Sequence, residues 1–533
     1  MLRTPRNQNS GQRAGRYREE EQTILEARIN GGMVTSIDQA DIENNQFAEL
    51  KNVTVRYDKT SRRFGSATFT PAAPDANKIL LLTPFARFSG VVSLNRLTAS
   101  SVYSGTSTLW NAVVGVLSGG TNDRFSTAIA NDRFFFANNG ADYIQELNPT
   151  ALTHARAGNA PKYRYITTFN NRIIGANLAD AVSPNSVQIG WSGDLAFTEW
   201  DPLVDLSAGS TPLVDSPTGY ADPITGIFGF TETGLLLRER SLYGISKQPI
   251  ATSPFNFFAI APSIGCDCPY SAVSIRNGIA WFDLRTGSVY SYTIGTPEPQ
   301  QIGFPVEKTI VDQVANTATV FASYNTVHDE YTLCLPSETS TLVRMWTYNF
   351  RTKAWSYDEQ SNISALSNID YNSSTLVIDD LVGTIDSLTG MIDALSNNIA
   401  IASRFYGKTN GVITIENVLE DDDAGMAYTT SIVSKTFQIP RRLGYVNRLR
   451  IEYTPRLAGA FTAYYSKDGG LTWNTYKTIT WDSDDVGSRK LATFNKHLKC
   501  DQYTWKIESA SGLFDLLEYE VHAITGAADS RTR

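Results

Sequence analysis

From Ser271 to Gly295 the chain reads SAVSIRNGIAWFDLRTGSVYSYTIG, with its apolar positions in three short runs set apart by turn residues. Ala272 to Ile275 predicts a strand, and Asn277-Gly278 is the pair a two-residue hairpin turn favours. Ile279 to Phe282 predicts the return strand. After a second turn at Asp283 to Gly287, small or polar residues alternate with Val289, Tyr290 and Tyr292 up to Thr293, the period-2 pattern of a third strand. One short stretch thus holds most of an antiparallel blade.

The unit recurs. FSTAIANDRFFFANNGADYIQEL, YITTFNNRIIGANL, ITGIFGFTETGLLLRERSLYGIS, FASYNTVHDEYTLCLP and LSNIDYNSSTLVID each give a strand, a polar turn and a second apolar strand. The turns centre near Asn131, Asn170, Thr233, Asn277, His328 and Asn372, at spacings of 39, 63, 44, 51 and 44 residues. Four-stranded repeats of about 40 to 50 residues are the mark of β-propeller blades. The chain is therefore expected to be mainly β, with an irregular β-propeller over residues 31–423; an irregular array of β-sandwiches is the alternative. If the ring closes, the strand around Asn52 to Tyr57 is expected to complete the last blade and remove an exposed edge. Trp110, Trp191, Trp200, Trp281, Trp346 and Trp355 fall in or beside these strands and are expected in the core between blades.

Residues 376–395 break the pattern. Ile-Asp recurs there every seven residues, with a Leu three after each Ile, which mimics coiled-coil spacing. Gly383 and Gly390 weigh against a helix, so a repeat of tight turns stands beside a short helix. After Asp421-Asp422-Asp423 the texture changes again, and five alternating segments predict a separate C-terminal β-sandwich over 424–526, followed by a polar tail at 527–533. Within it, Ser466, Asp468, Gly470 and Trp473 fit S-x-D-x-G-x-T-W, the Asp-box hairpin, in which the Asp binds turn amides and the Trp packs beneath. That role is structural.

A chain of 533 residues is too long for one core and divides into domains. Aromatic residues at 11% and charged residues at 19% fit a globular β protein. Four cysteines give no disulfide framework, and Cys266-x-Cys268 lacks a second pair to complete a metal site. No apolar run reaches membrane-spanning length, and the start MLRTPRNQNSGQRAGRYREEE has no signal-peptide core, which predicts synthesis in a cytoplasm. The four histidines are scattered, and nucleophile elbows, zincin helices, Walker loops and dinucleotide fingerprints are all missing. No catalytic residue, metal ligand or cofactor is expected. Because of the Asp box, a propeller glycosidase is the strongest enzymatic rival.

Residues 1–30 predict an extended arm. Arg3, Arg6, Arg13, Arg16 and Arg18 precede any acid, and such a segment does not bury enough apolar surface to order itself. The functional reading is a tether onto a neighbouring subunit; the plain one is a frayed terminus.

Residues 29–71, INGGMVTSIDQADIENNQFAELKNVTVRYDKTSRRFGSATFTP, open with Gly-Gly and lead into LKNVTVR and RRFGS. Together with VQIGWSGDLAFTEWDP, IGCDCPYSAVSIRNGIAWFDLRTGSVYSY and WTYNFRTKAWSYDE, this resembles the tail hub, or nozzle, proteins of short-tailed bacteriophages over residues 29–430. The resemblance implies a homo-hexameric ring below the portal, with adaptor or portal proteins and tail fibres or spikes as partners. It implies a place in the virion tail, and double-stranded DNA passing through without sequence recognition. A receptor- or glycan-binding propeller is the alternative. Residues 354–434 hold twelve acids and only two bases, against a whole-chain charge of −8. An acidic lining around a ring would let DNA slide where Lys and Arg would hold phosphates. Asp379, Asp380, Asp386 and Asp393 are the candidates for that lining. Solubilising acids on an outer face, or a cation held by Asp421 to Asp423, are the plainer readings.

Overall fold

The turns found in the sequence near Asn131, Asn170, Thr233, Asn277 and His328 are the first turns of successive blades, while Asn372 lies outside the described residues. In the computed structural model, Asn131-Asp132 and Asn170-Asn171 have positive φ at both residues, the backbone of a tight hairpin turn that Asn and Asp tolerate. The first joins Ser126–Ala130 to Arg133–Ala137, and the second joins Tyr163–Phe169 to Arg172–Leu178. At the stretch 271–295 the strands run Val273–Ile275, Gly278–Asp283 and Ser288–Thr293. Its turn differs by one residue from the expected pair: Ile275 faces Gly278, so Arg276-Asn277 make the loop. Gly278 opens the return strand, where a Cβ would collide with the Tyr292 carbonyl. The glycine serves close packing, not turn geometry.

The structure describes residues 21–69, 72–90, 92–105, 109–214, 219, 222–370, 402–439 and 444–525. Among them lie six four-stranded antiparallel sheets and one fourteen-stranded sheet. Five of the six run in chain order: blade 1 begins at Ile79–Ala86, blade 2 at Ser126–Ala130, blade 3 at Tyr163–Phe169, blade 4 at Ile224–Gly229 and blade 5 at Val273–Ile275. The first four strands of the large sheet, Phe321–Asn325, Glu330–Pro336, Leu342–Asn349 and Ala354–Ser361, take the sixth place. Ile363–Asp370 opens the last sheet, packing on Phe321–Asn325 on one side and on Ile79–Ala86 on the other, so the ring closes. A narrow central cavity of about 210 Å³ touches the inner strand of every blade, from Leu80 and Ser126 to Val273 and Ala365.

The last blade is closed by the chain's beginning. Its order is Ile363–Asp370, Ala402–Lys408, Ile413–Asn417, then Gly65–Thr68 from the N-terminal region. The expected closing strand, Asn52 to Tyr57, instead forms a hairpin, Val53–Arg56 with Lys59–Arg62. The heptad-like stretch 376–395 lies outside the described residues. It falls in sequence between the first two strands of this blade, where other blades have a short turn.

The C-terminal strands form a curled sheet that is hydrogen-bonded to blade 6. Two long strands, Gly444–Ser466 and Gln502–Thr525, pair along their length and curl, and Thr430–Ser434 and Phe47–Lys51 join them to the outer strand of blade 6. Glu21–Arg28 pairs antiparallel with the far end of Gln502–Thr525, so the arm expected over 1–30 does not extend past residue 20. Residues 21–62 therefore belong with the C-terminal unit. One core spans the join, holding Phe47, Leu50, Trp346, Trp355, Trp505 and Phe514. The expected burial holds for Trp191, Trp200, Trp281, Trp346 and Trp355, while Trp110 is half-buried against Phe69.

The closure junction as candidate functional site

LKNVTVR and RRFGS meet where the curled sheet is joined to the propeller. Lys51 pairs parallel with Tyr357 on the outer strand of blade 6. The next residue, Asn52, is buried with φ of 55°, a left-handed backbone that Asn adopts more readily than most residues. Its amide N–H donates to the Tyr357 carbonyl at 2.7 Å, and its side-chain oxygen accepts from the Glu359 amide at 2.9 Å. Its side-chain nitrogen donates to the Thr429 carbonyl at 2.8 Å. One residue thus stitches three segments.

Around it lies a buried charge network. Arg63 donates two bonds to Asp423, at 2.8 and 2.6 Å, and lies 3.6 Å from the centre of the Tyr428 ring. The Arg62 side chain is fully buried; it donates to Thr430 Oγ1 at 3.1 Å and to the carbonyls of Asp421, Tyr428, Ala510 and Gly512. Asp421 completes the pair at 3.6 Å. Arg56 forks onto Glu330 at 2.7 and 2.9 Å, and Arg404 reaches the same carboxylate at 3.4 Å. Gly65 fits because a Cβ there would strike the Asp422 backbone.

The electrostatics follow from burial and pairing. Burial would raise the Glu330 carboxyl, but Arg56, Arg404 and His328 outweigh it and hold it at about 2. Asp358, buried without a close fork, is pushed up to about 6 by burial, against the pull of Arg63 and Arg404. His328 is pushed down to about 4 by burial and then by Arg56. Glu330 and Asp423 are met by forked arginines, while Asp358 is buried with no ion pair of its own among the described residues.

The sequence candidates fall elsewhere or take other roles. Arg3, Arg6, Arg13, Arg16 and Arg18, and Asp379, Asp380, Asp386 and Asp393, lie outside the described residues. Of the other acids in 354–434, Asp358 is buried, Glu359 pairs with Lys51 at 2.6 Å, and Asp421 and Asp423 face arginines. Three of these four, Glu359, Asp421 and Asp423, are taken up in ion pairs within the chain, and Asp358 is buried. No group of three His, Cys, Asp or Glu side chains is placed to hold a metal among the described residues. No helix there is long and apolar enough to cross a membrane.

The Asp box is formed as expected in its turn. The Ser466 hydroxyl donates to Asp468 at 2.6 Å and accepts from the Gly470 amide at 2.9 Å, while Asp468 accepts from the Thr472 amide at 2.9 Å. Trp473 is half-buried, with the Lys506 ammonium 4.7 Å from its ring and its edge within contact range of Gly470.

Sequence reasoning passed over Arg62, Arg63 and Asn52 as functional residues, although RRFGS and LKNVTVR were in view. The available signal was two adjacent arginines before a glycine inside a strand-rich stretch.

No family model matches the chain, and no curated protein matches it. Among solved structures it is similar to virginiamycin B lyase from Staphylococcus aureus, at 9% identity and a TM-score of 0.36, covering 74% of this chain and 99% of that one. A streptogramin B lyase structure matches at 11% identity and a TM-score of 0.37, over 66% and 97%. The BBS1N chain, solved in complex with ARL6DN, matches at 10% and 0.39, over 66% and 96%. The propeller assignment rests on the sheet order described above.

Proposed function

We propose that the protein is a structural, ring-forming subunit of a short-tailed phage tail, a hub or nozzle that continues the portal–adaptor channel, seals the packaged DNA and conducts it during ejection. One observation supports the reading. Residues 47–68, part of the opening stretch 29–71 of the resemblance, are where propeller and curled sheet are joined by buried ion pairs. A subunit that transmits load around a ring needs its two bodies held at a fixed angle, and forked buried pairs serve that geometric specificity. By resemblance the ring is a hexamer, the neighbours are portal or adaptor proteins and tail fibres or spikes, and the place is the virion tail. The reading assigns the chain no turnover.

The test is quantitative mass spectrometry of purified particles with cryo-electron microscopy of their tails. The expected result is this chain at six copies per particle, below the portal. Its absence from particles that eject DNA normally would overturn the reading.

A further inference from the structure

Beside the central cavity, two cations line a second cavity, neither in an ion pair among the described residues. Arg124 comes just before the inner strand of blade 2 and Lys78 just before that of blade 1. Arg124 is only 7% exposed, yet it lines both the central cavity and a second one of about 430 Å³ at the mouth. Its guanidinium lies 4.0 Å from the centre of the Phe321 ring and donates to the carbonyls of Ser364 at 3.0 Å, Thr319 at 3.4 Å and Leu80 at 3.5 Å. Three of five donors are directed at the main chain, which fixes the plane and leaves two. Lys78 faces the same mouth cavity and donates to Asn122 at 3.1 Å.

Elsewhere the buried arginines of this protein meet carboxylates, as Arg56, Arg63 and Arg96 do. Arg124 and Lys78 form no ion pair among the described residues. Glu338 lines the mouth cavity but bonds to neither cation, while Ser364 and Thr409 add polar atoms to its wall. Burial pushes Arg124 down to about 10, and burial with the Arg124 charge pushes Lys78 down as well. A buried guanidinium beside a half-buried ammonium with no ion-pair partner is costly, and an anion held by the two would lower that cost.

From this geometry we infer that the channel mouth is a binding site for a small oxyanion, a phosphate or carboxylate group held by Lys78 and Arg124 with Asn122 beside them. The fixed guanidinium supplies two directed donors, and Lys78 supplies a mobile charge that closes on the ligand. The site is independent of the tail reading, because it needs neither a ring nor DNA.

The test uses the full chain, titrated by calorimetry with sodium phosphate and, separately, sodium acetate, with sodium chloride at equal ionic strength as the control. The expected result is saturable one-site binding of at least one oxyanion above chloride; the stronger of the two arms identifies the group. Lys78→Gln, at a half-buried position, should weaken binding about tenfold, the worth of one charge-assisted bond. Arg124→Gln should abolish binding, and unchanged circular dichroism separates that loss from unfolding. Titrations indistinguishable from chloride in both arms, or full affinity in Lys78→Gln, would overturn the site.

Discussion

Arg63 and Asp423 lie 360 residues apart in the chain and meet in a two-bond fork of 2.8 and 2.6 Å, with the Tyr428 ring against the guanidinium. Removing one partner leaves the other charge buried and alone. Arg63→Ala should therefore destabilise the protein by roughly 3 to 5 kcal/mol. Replacing both partners with apolar residues should cost less than the sum of the single changes. Denaturant unfolding of the single and double variants checks this; additive losses would mean that the two residues do not act as a pair.

Asn52 is held by backbone and side-chain hydrogen bonds in a left-handed conformation at the same joint. Asn52→Ala removes three side-chain bonds, to Thr429, Glu359 and Arg63, leaves the Thr429 carbonyl short of a donor and sets a Cβ-only residue at positive φ. A loss of about 2 to 4 kcal/mol is expected from those terms together. Asn52→Gly keeps the backbone free and should recover part of it. Equal stability of the two variants would show that the backbone conformation is not a cost.

Stability should depend on pH in two opposing ways. Glu330 titrates at about 2 in the fold and near 4.3 when unfolded. Between those values the unfolded chain binds more protons, so the stability that Glu330 contributes is complete above about pH 4.3 and is lost as pH falls toward 2. Asp358 runs the other way. Its folded value of about 6 lies above the unfolded value near 3.9, so the fold binds more protons and loses stability as pH rises from about 4 to 6. His328, pushed down to about 4, opposes Asp358 over nearly the same window. Chemical unfolding across pH should show a flatter acid limb in Glu330→Gln, and in Asp358→Asn a gain over the parent that widens from pH 4 to 6. Parallel curves would contradict the assignment of these charges.

Trp473→Ala should cost roughly 1 kcal/mol, as for a part-exposed aromatic with one cation on its face, rather than the 3 to 5 of a buried Trp. Asp468→Ala should speed hydrogen exchange at the Thr472 amide, which Asp468 accepts. An unchanged Thr472 amide would mean that the carboxylate does not hold the turn.

Deleting residues 1–20 should leave the melting temperature unchanged, because the strand Glu21–Arg28 and its partner Gln502–Thr525 remain intact. Incorporation into particles should fall if the five arginines tether one subunit to the next. A truncated chain that enters particles normally would remove the tether from the proposal.

The repeating pattern was legible because blades are local. A strand, a two- to four-residue turn and a return strand all lie within one short window, so Asn131, Asn170, Thr233, Asn277 and His328 marked the first turns of five successive blades without any knowledge of the ring. The glycine at 278 was visible too, but its reason was not: the Tyr292 carbonyl that excludes a Cβ lies on the neighbouring strand.

Alternation along the chain thus determined that the protein is mainly β and built in blades, since period-2 apolar patterning is a property of each strand alone. Only the tertiary structure decided how the ring closes, because strand edges of similar length and texture compete for it. Gly65–Thr68 reaches the edge of Ile413–Asn417, and the hairpin at Val53–Arg62 does not. The same holds for the acids of 354–434, whose density was plain in the sequence. Their meaning rests on Arg62, Arg63 and Lys51, some three hundred residues away, and a charge takes its role from what lies within a few ångströms of it.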